Sequence, residues 1–133
     1  MSDLEQWSAA RLLVTARRLV ENAYNAELAG LQLTHAGLTI LSVLASEGAF
    51  TQIQLAEELK VQSQTLGKRL NRLARKGFVS RWPDQGSPLI TISPAGQDVL
   101  SKARGIENRL RVTEAPGSDS LRIQLQRLIR AYG

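Results

Sequence analysis

Apolar residues recur at intervals of three and four over most of the chain, which predicts a mainly α-helical protein. In the first stretch the apolar stripe consists of Leu12, Ala16, Leu19 and Ala23. Ser2 and Glu5 form a capping-box pair, so we expect one helix from Ser2 to about Leu28, roughly 40 Å long at ~1.5 Å per residue. So long a helix exceeds the core of a small domain, and we expect a second copy of the chain to cover part of its stripe.

The second and third helices are bounded by residues that start or end helices. Gly30 is expected to end the first helix, and the second runs from an N-cap at Thr34 to Gly48. Thr51 caps the third helix, with Gln54 at the capping-box position. The residues expected to pack inward are Leu38, Leu41 and Leu44 on the second helix, and Ile53, Leu55, Ala56 and Leu59 on the third.

A tight connection at Lys60 and Val61 leads to a fourth helix, which Gly77 ends. Its leucine stripe consists of Leu66, Leu70 and Leu73. The opposite side carries Gln64, Lys68, Asn71, Arg72 and Arg75. Such an amphipathic helix packs by its leucines and presents its polar and basic residues outward.

A short hairpin and two further helices complete the predicted elements. Residues 78–82 and 89–92 favour strands joined by a turn-rich segment. The Ser93–Pro94 pair predicts the start of a fifth helix, and a sixth opens at Ser118 after a break at residues 115–117. The apolar stripe of the sixth helix is Leu121, Leu125, Leu128, Ile129 and Tyr132. The expected fold class is mainly α with a small β-hairpin.

The composition fits one intracellular domain. A chain of 133 residues that is 43% hydrophobic can bury a core without disulfides. It has no cysteine and a single histidine, His35, so thiol chemistry is excluded and neither a metal site nor a cofactor is expected. No phosphate-binding glycine loop or paired acidic site suggests an enzyme. Arginines interrupt the N-terminal apolar residues and no apolar run approaches about 20 residues, so we expect a soluble cytoplasmic protein without a signal peptide or membrane span.

Charge singles out one segment of the chain. Residues 51–81 contain seven basic and two acidic side chains, and the rest contains ten of each, so this segment carries the whole net charge of +5. Between Gln62 and Gly77 there are five basic residues and no acidic one. Concentrated positive charge is typical of a surface that meets phosphate, whereas alternating signs would suit a plain solvated face. The segment therefore predicts nucleic-acid binding.

Three stretches, in this order, resemble the MarR family of bacterial winged-helix transcription regulators. They are LTHAGLTILSVL at 33–44, TQIQLAEELKVQSQTLGKRLNRLARKGFVSR at 51–81 and ITISPAGQDVL at 90–100. The resemblance implies one domain over 1–133, with a winged helix-turn-helix lobe at 31–92 and helical dimerisation regions at 1–29 and 93–133. It also implies a homodimer that places one recognition helix per subunit in the major groove of double-stranded DNA. A small aromatic or amphipathic effector would bind between the DNA-binding lobe and the dimer helices.

The fourth helix would be the recognition helix, whose N-terminal residues face the floor of the major groove. Glutamine can pair with adenine and lysine with guanine, so Gln64 and Lys68 are expected to read bases, with Ser63 and Asn71 behind them. The remaining expected DNA contacts are Gln62 at the helix start and the phosphate-facing Thr65, Arg69, Arg72, Arg75 and Arg81. The alternative is an ordinary solvated helix face.

Three positions depart from the family pattern. The family wing usually carries Asp-x-Arg near its tip, whereas Asp84 here is followed by a shorter loop, 85–88, without arginine. Gln62 stands where a small polar residue usually starts the recognition helix, and we expect Ser63 to take over the capping role. Gly67 stands where threonine or serine is frequent, which removes one DNA contact and costs about 1 kcal/mol of helix propensity relative to alanine.

The remaining candidate residues concern the terminal helices and the aromatic side chains. The expected dimer-interface residues are Trp7, Leu12, Leu19, Leu121, Leu125 and Leu128. Tyr24 is expected to pack in the same region and Trp82 against the base of the wing. His35 lies at a helix start. Its polar groups are expected either to find hydrogen-bond partners nearby or to line a ligand pocket.

These observations predict a transcriptional regulator, more specifically a homodimeric repressor on a pseudo-palindrome with half-sites about one turn (~34 Å) apart. The alternative is a winged-helix module that binds another protein, or nucleic acid without sequence preference, because the wing lacks arginine. Losing one wing contact costs ~1–3 kcal/mol, which weakens a specific complex without abolishing it. The basic helix therefore favours the regulator.

Overall fold

The computed structural model describes residues 3–83, 86–110 and 118–133. These residues form α1 Ala9–Leu28, α2 His35–Glu47, β1 Phe50–Thr51, α3 Gln52–Leu59, α4 Ser63–Arg75, β2 Val79–Trp82, β3 Leu89–Ile92, α5 Pro94–Leu110 and α6 Ser118–Tyr132. The mainly helical winged helix-turn-helix fold is confirmed, with α3 and α4 preceding the hairpin. The wing-tip residues 84–85 and the expected helix break at 115–117 lie outside the described residues.

The first helix begins later than predicted. Asp3 caps a single 3₁₀ turn, and the backbone is then extended at Trp7, with a ψ of 142°. Ser8 is the N-cap of α1, since its hydroxyl accepts a hydrogen bond from a first-turn amide. A helix from Ser2 is therefore wrong, and Ser2 itself lies outside the described residues. At ~1.5 Å per residue, the 20 residues of α1 span about 30 Å rather than 40 Å.

α1 ends at Leu28 as predicted, but Gly30 does not terminate it. Gly30 lies inside a 3₁₀ turn, Ala29–Leu31, which continues from the helix. The chain reverses at Gln32, which adopts the left-handed conformation with a φ of 57°. The amide of Leu33 then donates to the carbonyl oxygen of Leu28 (3.3 Å) and closes the turn.

The predicted ends of α2 and the predicted start of α3 are confirmed. The Thr34 hydroxyl accepts a hydrogen bond from a first-turn amide of α2, and Gly48 ends that helix with a φ of 94°. Thr51 and Gln54 form the reciprocal capping box, with bonds of 3.2 and 3.0 Å. Ile53 does not pack inward as predicted: its side chain is 63% exposed, because α3 buries Leu55 and Ala56 on its other side.

β1 is an element that the sequence did not predict. Its residue Phe50 pairs with Ile90, so β3 is the central strand of a three-stranded antiparallel sheet in the order β1-β3-β2. A strand of two residues is too short to show a period of two. All four residues of β2 pair with β3. The Trp82 indole Nε1 donates to Thr91 Oγ1 across this pair (2.8 Å), while its ring remains largely exposed.

The predicted start of α5 is confirmed, because the Ser93 hydroxyl accepts a hydrogen bond from the Gly96 amide (3.0 Å) and so caps the helix.

One hydrophobic core holds α4 against the neighbouring elements. The largest fully buried side chains are Leu28, Leu38, Ile40, Leu41, Leu44, Leu55, Leu66, Leu70 and Ile90. Because this core includes the α4 leucines, the rotation of α4 about its own axis is fixed.

Candidate nucleic-acid interface

α4 presents a basic face because its leucine face is buried. Leu66 and Leu70 are 0% exposed and Leu73 is 4% exposed, as predicted. The predicted DNA-contacting residues that are exposed are Gln62, Ser63, Gln64, Thr65, Lys68, Asn71, Arg72, Arg75 and Arg81. Arg69, the remaining one, is half-buried. The helix therefore carries amide, hydroxyl and cationic groups on one solvent-facing side, which is the donor and acceptor set that reads bases and binds phosphates.

Asn71 connects α4 to the hairpin. Arg81 Nη2 donates to Asn71 Oδ1 (2.9 Å), and Arg75 Nε donates to the Asn71 carbonyl oxygen (3.4 Å). These three residues, with Ala74, surround a shallow depression in the surface. From the sequence we expected Asn71 to contact bases and Arg81 to contact phosphates. The hydrogen bond between them was not predicted, because the two residues are ten positions apart.

The start of α4 is hydrogen-bonded to a residue of α3 and has no side-chain cap of its own. Gln62 is the N-cap residue but its side chain makes no capping hydrogen bond. The prediction that Ser63 takes over this role is wrong, because Ser63 is the first helical residue and its hydroxyl accepts from Gln52 Nε2 (3.3 Å). The same nitrogen donates to the Ser63 carbonyl oxygen (2.9 Å). Sequence reasoning missed Gln52.

Gly67 also differs in role from the prediction, which treated it only as a lost contact. A Cβ atom placed on Gly67 would lie 2.9 Å from Gln52 Nε2. The absent side chain is therefore the space that the Gln52 amide occupies.

Arg69, Arg72 and Lys76 also line a cleft. We call it the α1–α4 cleft; it has a volume of about 210 Å³. Its lining residues are Glu21, Asn25, Thr34, His35, Ala36, Gly37, Arg69, Arg72, Leu73 and Lys76. Three cations and one carboxylate make the lining net positive at neutral pH. Such a cleft can accept an anionic group between the helix-turn-helix and α1.

His35 and Lys76 show how the cleft is built. The His35 amide donates to Asn25 Oδ1 (2.8 Å), and its imidazole meets the Tyr24 ring edge-on, with centroids 4.7 Å apart. The hydrogen bond to Asn25 is made by the backbone of His35, and its side chain lines the cleft. Burial, followed by the charge of Glu107, raises the pKa of Tyr24 above its ordinary value. Lys76 Nζ donates to the Gln32 carbonyl oxygen (2.6 Å) and so joins the end of α4 to the α1–α2 turn.

The two terminal helices leave apolar side chains uncovered in one protomer. We call this the terminal apolar face; it comprises Leu12, Leu13 and Leu19 of α1 and Leu121, Leu128 and Ile129 of α6, each at least 39% exposed. Of the other predicted dimer residues, Trp7 and Leu125 are half-buried. The Arg11 guanidinium lies 3.6 Å from the centre of the Trp7 ring. Exposed apolar side chains grouped on neighbouring helices are typical of a surface that a partner covers.

A metal centre and a membrane-spanning helix are both absent from the described residues. No group of three or more histidine, aspartate or glutamate side chains there is arranged to hold a metal ion. No single helix in the described ranges is long and apolar enough to cross a membrane; α1 and α2 meet those limits only when combined across a 74° bend.

The comparisons with known proteins agree with the fold. The model of the MarR family matches residues 33–87. Among solved structures, the M. tuberculosis transcriptional regulator MosR in complex with DNA is 26% identical with a TM-score of 0.83, over 95% of this chain and 98% of that one.

Two further structures share the fold at lower identity. The S. aureus MepR–DNA complex is 15% identical with a TM-score of 0.86, over 96% of this chain and 100% of that one. A MarR variant from E. coli with operator DNA is 24% identical with a TM-score of 0.81, over 96% and 99%. No curated protein sequence matches the chain.

Proposed function

Because residues 33–87 match the model of the MarR family, we propose that the chain is a transcriptional regulator of that family that binds double-stranded DNA in a sequence-specific manner. Proteins similar to it in structure, MosR and MepR, are described in complexes with DNA. Such a regulator works where a bacterial chromosome lies, in the cytoplasm.

The exposed basic face of α4 is the observation that carries this proposal. Gln64 and Lys68 read base edges in the major groove, and Ser63 and Asn71 assist them. Arg72, Arg75 and Arg81 bind phosphates and set the position of the helix on the duplex. Gln62, Thr65 and Arg69 contribute from the start and the cleft side of the helix. The absence of acidic side chains between residues 62 and 77 favours this role over that of a plain solvated surface.

The regulator acts as a homodimer on a pseudo-palindrome. The terminal apolar face supports the dimer. The residues of each subunit that the partner covers include Trp7, Leu12, Leu19, Leu121, Leu125 and Leu128. Residues 31–92 form the DNA-binding lobe, and 1–29 with 93–133 form the dimerisation region. Two recognition helices related by a two-fold axis meet half-sites about 34 Å apart. A repressor needs only to occupy its operator, so these parts suffice for repression.

An effector would bind in the α1–α4 cleft. The cleft lies between the recognition helix and α1, and its cations favour a small aromatic or amphipathic molecule that carries an acid group. Arg69 and Arg72 belong both to the cleft and to the basic side of α4. A ligand held by them competes with phosphate for the same cations and releases the DNA.

A winged-helix module that binds protein, or nucleic acid without sequence preference, is the second candidate. The arginine-free loop between β2 and β3 favours it, because that loop lacks the cation expected to enter the minor groove. The basic residues of α4 are not explained by protein binding alone.

Selection of bound fragments from a pool of random duplexes at ~150 mM salt separates the two candidates. We expect the wild-type protein to enrich an inverted repeat, and the Lys68→Ala/Arg72→Ala variant to lose it. The matched control is Arg127→Ala/Arg130→Ala, which removes the same charge from exposed positions of α6. If the wild type enriches no sequence, the regulator is wrong and the module becomes the better account.

A further inference from the structure

Gln52 spans the gap between the two helices of the helix-turn-helix. It is the first residue of α3, and Ser63 is the first residue of α4. Gln52 Nε2 lies 2.9 Å from the Ser63 carbonyl oxygen and 3.3 Å from the Ser63 hydroxyl oxygen. One amide nitrogen has two hydrogens, so both serve to hold a single residue of α4.

Gly67 provides the space for this contact. A Cβ atom there would lie 2.9 Å from Gln52 Nε2, 3.7 Å from its Cδ and 3.9 Å from its Oε1. Gly67 is not among the glycines with positive φ, so its backbone conformation does not require glycine. Glycine inside a helix lowers helix propensity relative to alanine. The packing of the Gln52 amide is therefore what this chain gains from glycine at position 67.

The first turn of α4 depends on this support because it has no side-chain cap. The Gln62 side chain makes no capping hydrogen bond, and the first amides of a helix have no partners within it. An uncapped first turn frays, and Gln64 lies in that turn. Hydrogen bonds to base edges need heavy-atom distances near 2.7–3.2 Å, so a displacement of about 1 Å breaks them.

We propose that Gln52 is a positioning residue for base recognition, which fixes the first turn of α4 through Ser63, and that Gly67 exists to admit it. The inference rests on the proposed function, since it concerns the helix that reads the bases. Gln52 need not touch DNA in this role. It sets where the Gln64 side chain lies relative to the groove.

The test compares full-length variants by two measurements. Gln52→Met keeps the length of the side chain but cannot donate, and Gly67→Ala adds the methyl group that collides with the amide. Matched controls are Gln97→Met, an exposed glutamine on α5, and Gly105→Ala, whose added Cβ would meet nothing within 4 Å. Each protein is used to select duplexes from a random pool, and is then titrated with the duplex enriched by the wild type and with a random-sequence duplex of equal length.

Gln52→Met and Gly67→Ala should each broaden the base preference at the positions nearest the α4 N-terminus. Affinity for the wild-type-selected duplex should fall about five- to tenfold, the loss expected for one or two hydrogen bonds, while affinity for the random duplex stays within about twofold. The double variant should be no weaker than either single variant, because both changes remove the same contact. Gly67→Ala should not lower the thermal midpoint, so its loss of selectivity is not a loss of folding.

Two results would overturn the inference. If the wild type selects a sequence and Gln52→Met selects it with the same strictness, Gln52 does not position the helix and the proposed function stands. Losses in the two single variants that add in the double variant also overturn it, as the contact is then not shared. If the wild type itself selects no sequence, the proposed function fails and this inference fails with it.

Discussion

Arg81 Nη2 donates a hydrogen bond of 2.9 Å to Asn71 Oδ1, and this bond attaches the first strand of the wing hairpin to the middle of the recognition helix. It occupies the amide oxygen of Asn71, so the amide nitrogen is left to donate to a base or a phosphate. In the proposed complex the hairpin therefore takes part in the DNA interface through its base, even though its loop lacks arginine.

A double-mutant cycle on Asn71→Ala and Arg81→Ala should show coupling in the affinity for the selected duplex. We expect a coupling of ~0.5–1.5 kcal/mol, the range of a typical hydrogen bond, because either change alone removes the same bond. Fluorescence anisotropy titrations at fixed salt measure it. The pair Lys68→Ala and Arg81→Ala serves as the control and should be additive. Additivity of Asn71 and Arg81 would mean that the bond does not persist in the complex.

Lys68→Ala and Arg75→Ala should weaken DNA binding in different ways. In the proposed complex Lys68 donates to a base, so its loss should cost ~1–3 kcal/mol per subunit on the selected duplex and relax the preference at one position of each half-site. In the proposed complex Arg75 binds phosphate, so its loss should weaken all duplexes alike and reduce the slope of log K against log salt by about 0.9 per subunit, which is about 1.8 for the homodimer. Titrations of both variants on the selected and random duplexes at four salt concentrations check this. The assignment is reversed if Arg75→Ala alone changes the base preference.

Charged substitutions in the terminal apolar face should dissociate the proposed homodimer. Leu19 is 57% exposed and Leu128 39% exposed, so Leu19→Asp/Leu128→Asp should leave the fold of the chain intact but places charge where the proposed partner subunit packs. Sedimentation velocity at micromolar concentration should show a monomer. Ile53→Asp, at a 63% exposed position on α3, is the control and should remain dimeric. A double variant that still sediments as a dimer would show that this face is not the interface.

Alanine at the two glycines of α5 should have opposite effects on stability. A Cβ on Gly96 would collide with the Phe78 backbone and lie 2.8 Å from Ile92 Cγ1, so Gly96→Ala should destabilise the fold by ~1–3 kcal/mol. Gly105 has open space around its Cα, so Gly105→Ala should stabilise it by up to about 1 kcal/mol. Urea unfolding followed by circular dichroism gives both values. Equal effects at the two sites would contradict the packing described for the start of α5.

Much of the fold follows from local chemistry that the sequence displays directly. The caps at Thr34, Thr51 and Ser93 were predictable because each uses a side chain and an amide within one turn. The leucine face of α4 was predictable from its spacing of three and four. These signals place the basic face of α4 on the outside without any knowledge of tertiary structure.

The features that the sequence did not predict are contacts between distant parts of the chain and short segments without a regular spacing of apolar residues. Gln52 and Ser63 are eleven residues apart, and nothing in either neighbourhood announces their bond. The extended backbone at Trp7 breaks a stretch whose apolar spacing favours a continuous helix. The first helical region ends at Gln32, which is left-handed, and not at Gly30; the closing bond from the Leu33 amide to Leu28 joins residues five apart and is not visible in residue preferences.

The ratio of the affinity for the selected duplex to the affinity for a shuffled duplex is the measurement that tests sequence-specific DNA binding most directly. The wild-type protein is titrated at ~150 mM salt with its selected duplex and with a shuffled duplex of the same length and composition. We expect the selected duplex to bind at least about a thousandfold more tightly, and Lys68→Ala/Arg72→Ala to reduce that ratio, while Arg127→Ala/Arg130→Ala preserves it. A ratio near one in the wild type would contradict the account, because α4 would then bind phosphate without reading bases.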